Sequence, residues 1–99
     1  MPVIYHVTTS AAWEQALAAG EYRAASLETE GFIHCSEEHQ SPGVLQRYFK
    51  GKTGLSALVI NIEKLSAPLR YELSPAINEQ FPHIYGALNL DAVEDVRDM

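Results

Sequence analysis

The sequence predicts an α+β fold: a mainly antiparallel or mixed β-sheet with two main helices, in a single domain over residues 1–99. Three observations carry that expectation. Strand-like and helix-like segments follow one another as strand, helix, strand, helix and then several strands. Residues 55–62 are nearly continuous in apolar and β-branched side chains, as in a strand covered on both faces. Three strand-like segments, far apart in the chain, each place a histidine two residues before a hydroxyl: His6 and Thr8, His34 and Ser36, His83 and Tyr85. Side chains alternate faces along a strand, so each pair shares one face.

Residues 3–8 read as the first strand, apolar and β-branched almost from the start. Thr9 or Ser10 offers an N-cap for a helix over 11–19, rich in alanine, with Glu14 near the positive end of the helix dipole and Gly20 suited to the residue past its end. Trp13, Ala16 and Leu17 form its apolar stripe, and that spacing assigns Trp13 to packing rather than to stacking on a ligand. Residues 21–30 are polar and irregular, and Arg23 is a candidate anion contact at the rim of a site. A central strand over 32–36 puts His34 and Ser36 on one face and Ile33 and Cys35 on the other. After the polar stretch 37–40, where His39 reads as a surface residue, Ser41 and Pro42 open a second helix with proline in its permitted first position. Val44, Leu45, Tyr48 and Phe49 are its expected buried face and Gly51 its end. Residues 55–62 follow as a central strand and 70–73 as a short one. Residues 74–82, with two prolines, read as a loop into 83–85, and 92–96 alternates like a closing edge strand.

Composition bounds the function. At 99 residues and 46% apolar, the chain suits one adequate core and is too apolar for disorder. No apolar run approaches the roughly 18 residues that span a bilayer, and the first residues lack a basic-then-apolar signal pattern, so a soluble cytoplasmic protein is expected. A single cysteine excludes an internal disulfide and a multi-cysteine zinc cluster. The net charge of −6 argues against a long RNA or DNA ligand, because nucleic-acid binders neutralise phosphates with a basic patch. Arg47, Lys50 and Lys52 suffice for one small phosphorylated ligand. The acidic charge favours solubility without fixing a number of subunits.

Three histidines on one cleft would suit zinc or copper, since neutral imidazole is a good ligand. The chain shows no paired-histidine helix spacing, however, and no acidic ligand beyond Glu79. Cys35 faces away from His34 and reads as a small core residue. A nucleophilic Ser36 would lack a recognisable nucleophile elbow. The residue types best fit a polar cleft whose imidazoles and hydroxyls bind sugar hydroxyls or a pyrophosphate.

Three segments resemble those of a small bacterial family called domain of unknown function 952: Ile4-Tyr5-His6; Gly31 to Ser36 with Gln40 after it; and Phe81 to Gly86 followed by Leu88-Asn89. The resemblance covers essentially the whole chain. That family is grouped with the ADP-ribosyltransferase-like fold, a split β-sheet that clasps NAD. It implies that His6 and Thr8 contact ribose and nicotinamide, and that His34 and Ser36 are similar to an element of RNA 2′-phosphotransferases. In many members a third motif supplies a Glu that supports an oxocarbenium-like transition state; here His83 and Tyr85 stand in its place, with Glu79 and Gln80 upstream. The resemblance implies a transferase-like cleft for NAD or another ADP-ribosyl or nucleotide-like ligand, with NAD as substrate. His34, His83 and Ser36 are its candidate catalytic residues; His6, Thr8, Arg23, Glu79 and Tyr85 would bind substrate. The alternatives are a non-catalytic small-metabolite-binding module and a metal-dependent hydrolase using His6, His34 and His83.

Overall fold

In the computed structural model, which describes residues 2–99, the elements run β1 (Val3–Thr9), α1 (Ser10–Ala19), β2 (Glu21–Tyr22), α2 (Ala25–Thr29), β3 (Ile33–His34), α3 (Ser41–Tyr48), β4 (Leu55–Asn61), β5 (Leu69–Ser74), β6 (Glu79–Ile84), β7 (Leu88–Asn89) and β8 (Val93–Asp98). Short 3-10 turns lie at Glu38–Gln40, Ile62–Lys64 and Leu90–Ala92. The strands form three sheets ordered β1-β4-β8, β2-β7 and β3-β6-β5. All pairings among the described residues are antiparallel, so the fold is α+β without the parallel component of a mixed sheet. No helix among them is long and apolar enough to cross a membrane.

The apolar run expected as a central strand is β4, paired on both edges and with Leu58 and Ile60 fully buried. Its two buried polar residues are bonded, as burial demands. Ser56 meets the Ser10 hydroxyl at 2.8 Å, and Asn61 donates to Glu94 at 2.7 Å. Across β4 the core gathers Ile4, Ile33, Ile84 and Leu88. Thr9 caps α1 by accepting the Ala12 N–H at 3.0 Å, and Gly20 at φ 88° closes it in the left-handed region. Ala12, Trp13 and Ala16 make the packed face, whereas Leu17 is 55% exposed.

Two stretches differ from expectation for backbone reasons. Residues 21–30 are not irregular: Tyr22 is buried in β2 against β7, and α2 adds a short third helix. Residues 74–82 are largely strand, because β5 and β6 form a hairpin whose turn is closed by Asn78 N–H donating to the Ser74 carbonyl at 2.9 Å. Pro82 therefore sits inside the central strand of its sheet. Its consequence is visible on β3. Cys35 N–H donates to the Pro82 carbonyl at 3.0 Å, but Pro82 has no N–H to return the bond, and the β3–β6 ladder ends there. The chain then crosses to the other large sheet, where Ser36 and Tyr5 exchange both backbone bonds at 2.8 Å. The expected five-residue central strand is thus a two-residue strand followed by a crossover.

Gly86 marks a close approach. Tyr85 N–H donates to the Pro68 carbonyl at 2.8 Å, Gly86 takes φ 153°, and a Cβ placed on it would lie 2.9 Å from the Ala67 Cβ. Gly86→Ala is expected to destabilise the protein by about 1–3 kcal/mol through overpacking and strain. Urea unfolding should show partial recovery in the Gly86→Ala/Ala67→Gly double variant. Equal loss in both would mean that the approach to Ala67 is not the cause.

Candidate functional site

Pairing of β3 with β6 sets His34 opposite His83, so alternation brings Phe32, His34, His83 and Tyr85 to one face. On β5, Arg70 lies opposite His83 and Glu72 opposite Phe81, which puts Glu72 one diagonal step from the imidazole. Glu72 Oε1 lies 2.7 Å from His83 Nδ1 and accepts the Tyr85 hydroxyl at 2.5 Å. The Tyr85 and His83 bonds hold the Glu72 carboxyl below its ordinary range, and the bond to Glu72 pushes the Tyr85 phenol up. The Arg70 guanidinium stands 5.1 Å from the Tyr85 ring centroid. Phe32 stacks on His83 with centroids 4.0 Å apart and meets His34 edge-on at 4.8 Å.

His34 has its own carboxylate. After α2 the chain turns through Gly31 at φ 88°, which brings Glu30 Oε2 to 2.9 Å from His34 Nε2. The His34 and His83 rings are 5.2 Å apart. The site is therefore a pair of imidazoles, each backed by a carboxylate. His83 Nε2 has no partner among the described residues, where no buried side-chain polar atom lacks one, so this nitrogen opens to solvent.

His6 lies behind them and differs in kind. Its Nδ1 faces the His34 carbonyl, which can only accept, so Nδ1 carries the proton. Burial lowers its pKa to about 4, which keeps the ring neutral and leaves Nε2 to accept the Tyr22 O–H at 2.8 Å. The Tyr22 and Thr8 hydroxyl oxygens are hydrogen-bonded at 2.9 Å. Both ring nitrogens of His6 are committed to this chain, and Thr8 supports it rather than facing a ligand.

A cavity of about 570 Å³ opens where the two large sheets diverge. Tyr5, His6 and Val7 of β1 line one side, and His34, Cys35 and Ser36 line the crossover. Phe81, His83 and Ser74 of the hairpin, and Ser26 and Glu30 near α2, line the rest. The apolar face of α3 completes it through Val44, Tyr48 and Phe49. That face was expected in the core, yet no residue of α3 is buried and Tyr48 is 63% exposed. Apolar periodicity reports a covered face without saying whether core or cavity covers it. Ser36 is buried, its Oγ 3.4 Å from Ser41 Oγ. Burial pushes the Cys35 thiol well above its ordinary range, which removes it as a nucleophile.

Two expected ligand contacts lie elsewhere. Arg23 is carried by the β2–β7 pair to a separate groove against α1, where it meets Glu21 at 3.4 Å. Glu79 is exposed at the hairpin end of β6 and does not line the cavity. Tyr85 reaches the site through Glu72. Among the described residues no three His, Cys, Asp or Glu side chains are grouped to hold a metal, and His6 has no nitrogen to offer one. Sequence reasoning missed Glu30, Phe32, Tyr22 and Glu72. Phe32 shares the parity of His34 and was legible; Glu72 needed the β5–β6 register, which no spacing discloses.

A family model described as a protein of unknown function (DUF952) matches residues 7–96. No curated protein matches the chain significantly. The X-ray crystal structure of protein CC0527 from Caulobacter crescentus superposes with a TM-score of 0.89 at 31% identity, covering 98% of this chain and 85% of that one. The solution NMR structure of CC0527 gives a TM-score of 0.85 at 31% identity, covering 100% and 85%.

The His6 network makes stability sensitive to acid. The unfolded chain binds a proton below about pH 6.5, whereas folded His6 refuses it down to about pH 4. Stability contributed by neutral His6 is thus present above pH 6.5 and is lost as pH falls towards 4, by ~3 kcal/mol in all. Urea unfolding at pH 7 and pH 4 measures the loss, and His6→Gln should flatten the slope. An unchanged slope in that variant would assign the acid sensitivity to other groups.

Proposed function

The chain belongs to the DUF952 family, and we propose that it is a transferase-like enzyme acting on a nucleotide-like ligand in the cleft between its two large sheets. One observation carries the proposal: two carboxylate-backed imidazoles stand side by side on the wall of a cavity of about 570 Å³. Glu72 holds the Nδ1 proton of His83, so its open Nε2 is a base aimed at solvent. That nitrogen removes the proton of an attacking hydroxyl or water. His34, exposed at the mouth and paired with Glu30, orients the sugar hydroxyls and stabilises charge as the acceptor attacks.

The finer reading, an ADP-ribosyltransferase-like fold acting on NAD or a related compound, draws support from the split between the sheets and from the cavity at their divergence. With NAD, the acceptor oxygen bonds to the anomeric carbon, the bond to nicotinamide breaks with its electron pair, and the acceptor proton passes to His83. Glu79 lies outside the cavity, so in this reading Glu30 is the carboxylate near the sugar and Glu72 acts through His83. A non-catalytic module is favoured by one feature: Ser36 is buried in the crossover with its hydroxyl facing Ser41, so it is not poised as a nucleophile.

Titration of NAD, ADP-ribose and AMP, followed by the histidine ring protons in NMR, tests the proposal. His34 and His83 should shift together at saturation, and His34→Ala or His83→Ala should weaken binding by roughly tenfold to a hundredfold with the fold intact. Silence of both rings towards all three ligands would sink it. Release of nicotinamide from NAD separates the enzyme from the binding module.

A further inference from the structure

The chain carries 13 carboxylates, yet residues 39–62 contain Arg47, Lys50 and Lys52 and no Asp or Glu. None of these three cations takes part in an ion pair among the described residues, whereas Arg23 and Arg97 each do. Two of them stand beside rings of the cavity wall. The Arg47 guanidinium carbon is 5.8 Å from the Tyr48 ring centroid, and Lys52 Nζ is 5.7 Å from that of Phe49. Arg47 also folds back along α3, because a Cβ on Gly43 would lie only 2.9 Å from its Nη1. A cation in the last helical turn complements the carbonyl end of the helix dipole, which accounts for Arg47 but not for Lys50 and Lys52 beyond it.

The surroundings of the cavity are consequently polarised. Glu30 lines its imidazole side and Glu72 backs that side through His83, whereas Arg47 and Lys52 stand outside the lining beside the rings of its aromatic wall. An anionic group is repelled from the first end and drawn to the second. We propose that the ligand carries a phosphate group and that Arg47 and Lys52, on the rim formed by α3 and the segment after it, receive that phosphate. This deepens the reading of the cleft as a nucleotide-like site and rests on it. The phosphate docks at the α3 rim, the base or other flat portion lies along Tyr48 and Phe49, and the sugar reaches His34 and His83. Three cations on a chain of net charge −6 match one small phosphorylated molecule rather than a polyanion.

Adenosine and AMP differ only in the phosphate, and their titration into the whole protein is the test, read by the ring protons of His34 and His83. AMP should bind at least about tenfold tighter than adenosine, since charge-assisted bonds to phosphate are the strong ones. In Arg47→Gln/Lys52→Gln the difference should shrink to about twofold, with adenosine affinity unchanged. Lys64→Gln, a cation lost from the 3-10 turn after β4 and not from beside Tyr48 or Phe49, should preserve the full difference. Equal binding of the two compounds, or a preference for AMP that survives the double substitution, would overturn the phosphate seat while ring shifts kept the cleft reading alive. If neither compound moves either ring, both fall together.

Discussion

The absent N–H of Pro82 governs the arrangement of this protein. A strand residue without a donor normally belongs at an edge, and Pro82 satisfies that rule by ending the neighbour opposite it. Because Cys35 makes the last bond to β6, alternation turns the His34 carbonyl away from that strand, where His6 Nδ1–H meets it. Ser36 then pairs with Tyr5 and fastens the crossover to the first sheet. The sheets diverge at that seam, and the cavity occupies the divergence. Backbone valence, more than any single packing contact, sets the site's geometry.

Three histidines followed by hydroxyls turn out to occupy three environments. His6 is buried, neutral and fully bonded, a structural strut. His34 is largely exposed and held by one carboxylate, and His83 lies between them in burial with one nitrogen committed and one open. How many of its nitrogens the fold consumes decides whether an imidazole is wholly structural or keeps an open nitrogen.

Elements set by hydrophobic periodicity and capping were legible in the sequence: β1, α1 with its end at Gly20, and β4 with its continuous apolar run. The β5–β6 hairpin was hidden because Pro82 argues against a strand, and only the partner's departure makes it tolerable. Parity relates residues within one strand, and the common face of His34 and His83 rests on the β3–β6 register. Register was not legible, so Glu72 was missed and Glu79, three residues before Pro82 but at the hairpin end, was given a role near the ligand. Arg23 failed for a related reason: its position depends on the pairing of two-residue strands too short to leave a pattern.

The apolar face of α3 also bears on how such a protein changes over generations. Val44, Tyr48 and Phe49 wall a cavity that is open to solvent, and none of them is fully buried. Replacing a side chain there alters the shape of the cavity without opening a void in the core, so selection on that shape is released from selection on folding. The helix is a face on which the shape of the cavity can drift while β1, β4 and the imidazole pair stay fixed.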